Sequence, residues 1–231
     1  MNNNKNILIT GGNRGIGKGL VKRLCLSHNV IFSVRTEQLG QKTLDSLNDK
    51  NAKFIVMDVD HLESVKEAIS SLKSLVDHID ILYNNAGILI SGLDNNETAL
   101  NTDEESIIST FNTNTLGVLR VTKFVEPLMK PGSRIINISS GMGQLEDMQD
   151  GHTAYRLSKT ALNALTVILS KELAFKNISV NTICPGWVQT DMGGPSATLT
   201  VDESTREIVK FSLKDKFPTG KYLRHGEVIP W

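Results

Sequence analysis

The chain has 231 residues, with 25 Lys and Arg against 25 Asp and Glu, a formal charge of zero, and 39% hydrophobic residues. That length admits one large α/β domain or two small ones, and the apolar content supports a buried core rather than disorder. The absence of a basic excess makes nucleic acid and anionic membrane surfaces poor partners. The two cysteines, Cys25 and Cys184, lack the spacing and number for a disulfide framework or a structural zinc site, so no metal is expected. They read as reduced thiols of a cytoplasmic protein. The polar start, Met1 to Asn6, does not turn apolar as a signal peptide would, and no run approaches the ~18 apolar residues of a membrane span.

Short apolar runs alternate with longer amphipathic stretches, the pattern of βαβ units. Ile7-Leu8-Ile9-Thr10 predicts a first strand, a glycine cluster follows, and a helix is predicted over 15–27. A second strand is predicted at 30–34, a polar helix over 37–48, and a third strand at 54–57. Leu62, Val65, Ile69, Leu72 and Val76 recur at helical spacing over 61–77. Ile81-Leu82-Tyr83 is a fourth strand. A polar loop over 91–102 leads into one long helix over 103–129, closed by Pro131-Gly132. A fifth strand is predicted at 134–139, a long helix over 153–176, a sixth strand at 178–183, a helix near 202–214 and a weak last strand at 221–223. Strands such as Ile135-Ile136-Asn137-Ile138 hardly alternate, which predicts burial on both faces of a parallel sheet. No interdomain linker interrupts the chain. The expectation is a single α/β domain over 1–231, a Rossmann-like doubly wound sheet of about seven strands with helices on both faces.

Gly11-Gly12-Asn13-Arg14-Gly15-Ile16-Gly17 lies between a predicted strand and a predicted helix. Glycines there let the backbone approach a pyrophosphate, and the helix N-terminus offers unpaired N–H groups and a positive dipole end. The second strand ends in Ser33-Val34-Arg35-Thr36, with no carboxylate to accept ribose hydroxyls. Arg35 and Arg14 can instead clamp a 2′-phosphate through planar guanidinium forks. NADP(H) is therefore expected over NAD(H). Tyr155 and Lys159 are four apart on one predicted helical face. A neighbouring cation lowers a phenol's pKa and prepares it for proton exchange.

These motifs together resemble the short-chain dehydrogenase/reductase family. TGGNRGIG matches its TGxxxGxG loop, Asn84-Asn85-Ala86-Gly87 its NNAG motif, and Tyr155-Arg156-Leu157-Ser158-Lys159 its YxxxK motif. The resemblance is clear from about residue 6 to 192 and leans toward carbonyl reductases, through YRLSK and CPGWVQTDMGGP. It implies catalytic Asn114, Ser140, Tyr155 and Lys159, with Ser139 the fallback serine and Asn112 the weaker asparagine. Ser140 would bond the substrate oxygen, Asn114 would hold a water behind Lys159, and Lys159 would also bond the nicotinamide ribose. For the cofactor it implies Gly11, Asn13, Arg14, Gly15, Ile16, Gly17, Arg35, Asp58, Val59, Asn85, Ala86 and Gly87. Around the nicotinamide it adds Tyr155, Lys159, Pro185, Gly186, Val188 and Thr190. The implied activity is NADPH-dependent reduction of a small aldehyde or ketone to an alcohol, with Tyr155 as proton donor. A catalytically silent dinucleotide-binding sensor or scaffold, or an NAD-dependent alcohol dehydrogenase, is the alternative. The resemblance leaves the oligomeric state open: many relatives pair as homo-oligomers through the helices that fall here at 103–129 and 153–176, whereas carbonyl reductases can be monomers. Two local departures stand out: an acidic insert at 144–151, expected at the mouth of the site, and a short substrate lid over 191–215, which implies an open site.

Overall fold

The computed structural model describes residues 4–47, 51–90 and 98–231. The polar start at 1–3, residue 48 of the second predicted helix and the first seven residues of the predicted loop at 91–102 lie outside the described residues. Eight strands make one sheet in the order β3-β2-β1-β4-β5-β6-β7-β8. They are β1 (Asn6–Ile9), β2 (Asn29–Val34), β3 (Ala52–Val56), β4 (Ile79–Asn84), β5 (Met129–Ile138), β6 (Ser179–Cys184), β7 (Tyr222–Arg224) and β8 (Glu227–Ile229). Every neighbouring pair is parallel except β7 with β8.

The strands are apolar on both faces because both faces are covered. On β1, Leu8 joins a core with α3 (Leu62–Leu75), α5 (Gly117–Val125) and α6 (Thr153–Glu172), whereas Ile7 and Ile9 join the opposite core. That second core takes Leu20, Val21 and Leu24 from α1 (Gly15–Leu24), Leu39 and Leu44 from α2 (Glu37–Asp45), and Ile208 and Phe211 from α7 (Val201–Ser212). A further helix, α4 (Glu104–Phe111), packs on α6. Side chains cap several N-termini: Thr36 accepts from Leu39 N, Asp103 from Ser106 N, and Thr200 with Glu203 forms a reciprocal capping box on α7. No side chain caps α1.

Three expectations are corrected. The helix predicted over 103–129 is broken: a π-turn at Asn112–Leu116 separates α4 from α5, and a 3-10 turn at Glu126–Leu128 ends it. Pro131 and Gly132 do not follow a helix but lie inside β5, where Ile79 pairs with Met129 and Ile81 with Arg134, so the intervening residues bulge out. The eight strands agree with the expected seven or so, the last arising where the chain turns back after β7. Finally, α7 occupies much of the expected lid but packs against α1 and the sheet core, leaving about residues 191–200 to cover the site.

Candidate active site

In an open parallel sheet, ligands collect beyond the carboxyl ends of the strands where the winding reverses, here between β1 and β4. A cavity of about 940 Å³ lies at that edge. Its wall begins with the loop after β1. Gly11 and Gly15 have positive φ, +67° and +51°. Gly17 admits nothing larger than hydrogen, since a Cβ would come 2.1 Å from Gly11 O and 2.5 Å from Asn85 Nδ2. Asn85 Nδ2 donates to Thr10 O and Gly11 O at 2.9 and 3.1 Å, and the Thr10 hydroxyl accepts from Asn85 N and Ala86 N. The segment after β4 thus braces the glycine loop. The uncapped first turn of α1 faces the cavity through Gly15, Ile16 and Gly17, a donor set suited to a pyrophosphate.

Farther along, Arg35 lines the cavity at the end of β2, and Asp58 and Val59 line it after β3. Asp58 Oδ1 accepts from Asp60 N at 3.1 Å, which shapes that turn. Arg14 lines the cavity, but its guanidinium pairs with Asp191 at 2.9 Å across the mouth, so the expected two-arginine clamp is not assembled in this conformation. Asn13, Ala86, Gly87, Pro185, Gly186, Val188 and Thr190 also line the wall. Thr190 Oγ1 donates to Val188 O and accepts from Gly193 N, closing the turn after β6.

At the other end, α6 begins after His152, whose φ is +49°. Its first turns bury Tyr155 and Lys159, 7% and 4% exposed. Tyr155 and Ser140 line the same wall of the cavity, close enough for the Ser140 hydroxyl to favour the phenolate, while Ser139 Oγ turns away to donate to Lys159 O at 3.5 Å. Ser140 is held by a short turn whose Gly143 packs against α6; Thr160 and Asn163 both donate to Gly143 O. Lys159 Nζ donates to Ile138 O at 2.9 Å.

Burial governs both titrations. It pushes the Tyr155 phenol up to about 12, opposed by the Ser140 hydroxyl, and pushes Lys159 down to about 8. The tyrosine, expected to be lowered by its lysine, is instead raised, because desolvation of the phenolate dominates.

Asn114 is fully buried in the π-turn and does not line the cavity. Its Oδ1 accepts from Ile88 N at 2.8 Å, and its Nδ2 donates to Ile88 O and Ser158 Oγ. The side chain expected to hold a water is thus committed to the protein, and it ties the π-turn to the segment after β4 and to α6. Asn112 faces away, bonded to Arg120. The acidic insert does reach the mouth, with Asp147 and Gln149 on the cavity wall; Arg156 anchors it by donating to Asp150 O and Gly151 O. Sequence reasoning missed Trp187, Arg224 and His225, which also line the cavity, and Ser158 behind it.

A short chain dehydrogenase family model matches residues 5–198. The chain is 28% identical to carbonyl reductase (NADPH) 1 of Homo sapiens, covering 97% of each. Among solved structures, the carbonyl reductase Sniffer of D. melanogaster is 30% identical with a TM-score of 0.88, covering 99% of this chain and 100% of that one. An NADPH-bound carbonyl reductase from chicken fatty liver is likewise 30% identical with a TM-score of 0.88, covering 99% of each. Among the described residues, no helix is long and apolar enough to cross a membrane.

Proposed function

Because the chain belongs to the short-chain dehydrogenase family, we propose that it is an NADP(H)-dependent oxidoreductase that reduces an aldehyde or ketone to an alcohol. One observation carries this reading: Ser140, Tyr155 and Lys159 line one cavity, with Lys159 Nζ 5.6 Å from the Tyr155 ring centre, and share it with an uncapped, glycine-lined helix N-terminus. Relatives named for NADPH-dependent carbonyl reduction support it. Arg35, with no carboxylate at the end of β2, supports the phosphorylated cofactor.

The bound nicotinamide supplies the hydride. The protein supplies position and a proton. Ser140 and Tyr155 hold the carbonyl oxygen between two hydroxyls, where negative charge develops. With its pKa near 12, Tyr155 is protonated at neutral pH and enters the reaction as an acid. Its proton goes to that oxygen as the carbon is reduced. Lys159, largely charged below about pH 8, stabilises the phenolate left behind, and two of its three N–H donors remain for a ribose hydroxyl. Asn114 acts as a positioning residue by fixing Ser158 and the wall at Ile88. Resting protonation therefore favours the reductive direction. The test is NADPH oxidation against neutral aldehydes, ketones and quinones. Turnover of at least one class supports the reading; a fully folded protein that binds NADPH and reduces none overturns it.

A further inference from the structure

The substrate end of the cavity contains a cation that the proposed chemistry does not use. Arg224 ends β7, in register with Cys184 on β6, and lines the cavity. It lies against the turn that carries Ser140: a Cβ on Gly141 would meet Arg224 Nη2 at 2.4 Å. The side chains of Cys184 and Tyr222 lie beside it, but neither is a carboxylate. Nη2 reaches Gln144 Oε1 only at 3.4 Å, and Nε is buried without a partner among the described residues. No carboxylate among those residues forms an ion pair with it; Asp191 is engaged by Arg14, and Glu227, its register partner on β8, is exposed. A guanidinium keeps its charge at any working pH, so one in a cavity wall with no carboxylate partner favours an anion.

Resting on the carbonyl-reductase reading, we propose that Arg224 makes this site selective for oxo acids, gripping a carboxylate a short spacer away from the carbonyl. The geometry sets the spacer. Gly141, against which Arg224 Nη2 lies, follows Ser140 directly, and Cys184, in register with Arg224, lines the same wall as Tyr155. A carboxylate in a fork on Arg224 would leave only a few bonds to a carbonyl held by Ser140 and Tyr155. The insert carboxylate Asp147, also on the wall, disfavours longer anions that would reach the mouth.

The experiment compares 4-oxobutanoate and 4-oxopentanoate with their methyl esters, using NADPH and the full chain. The wild-type kcat/KM should favour each acid over its ester by about tenfold or more, mainly through KM. In Arg224→Met that ratio should fall to near one, and Arg224→Lys should retain part of it. Calorimetry of the NADP+ complex with succinate, which cannot be reduced, should show binding weakened about tenfold or more in Arg224→Met. An acid-to-ester ratio near one in the wild type, or one equal in wild type and Arg224→Met, overturns the inference while neutral carbonyl turnover leaves the activity standing. Arg224-dependent succinate binding with no turnover of any carbonyl would instead support the anion site and overturn the activity.

Discussion

Tyr155 and Lys159 are buried together, and burial moves their pKa values in opposite directions, up to about 12 and down to about 8. Each shift favours the neutral form, as desolvation must. The consequence is a pH profile set by the lysine. Below about pH 8 the ammonium is present to stabilise the phenolate, and above it that charge is lost while the phenol is still protonated. Carbonyl reduction under saturating NADPH should therefore fall as pH rises through about 8; a kcat flat to pH 10 would contradict this assignment. The sequence placed the pair on one helical face, because i and i+4 are neighbours on any helix. It could not reveal how deeply the pair is buried, which depends on the Gly143 turn packing against α6. Arg224 was missed for a similar reason: the last strand was weak, and only its pairing with β6 puts that residue beside Cys184.

At the scale of elements, the glycine loop and the segment after β4 form one unit. Gly17→Ala would drive a Cβ into Gly11 O and the Asn85 amide that braces the loop. The expected result is NADPH affinity weakened by about tenfold or more, with a stability loss of about 1–3 kcal/mol, read by fluorescence titration and denaturant melts. Unchanged affinity would show that the loop does not shape the site. The loop was legible because an apolar run, the glycine spacing and a helix follow one another directly, from β1 at Asn6 to the end of α1 at Leu24. The π-turn was not. Its sequence, Asn112-Thr113-Asn114-Thr115-Leu116, continues the helical pattern on both sides. The extra residue per turn is set by Asn114 bonding to Ile88 and Ser158, partners distant in the chain. Likewise the β5 bulge at Pro131-Gly132 reads locally as a helix stop, and only its pairing with β4 makes it part of a strand.

Over the whole molecule, the two-sided burial that makes the central strands largely apolar goes with a parallel sheet whose strand carboxyl ends lie along one edge, where the cavity lies. Fold class was readable because nearly every strand is such an apolar run; β8 escaped because its three residues, Glu227-Val228-Ile229, are short and largely exposed. A ligand that binds only the folded state stabilises all of it. At a hundredfold excess over Kd that is about 2.7 kcal/mol, or roughly 5–11 °C in Tm for a chain of this size. NADPH should raise Tm by that amount and NADH by less, and Arg35→Asp should reverse the order; equal shifts from both cofactors in both proteins would remove Arg35 from the selection. The most direct measurement is single-turnover NADPH oxidation by Tyr155→Phe with a carbonyl that the wild type reduces, alongside the NADPH Kd of each protein. The account predicts a rate lower by about 10²–10⁴-fold with Kd little changed. A variant that transfers hydride at the wild-type rate would contradict it.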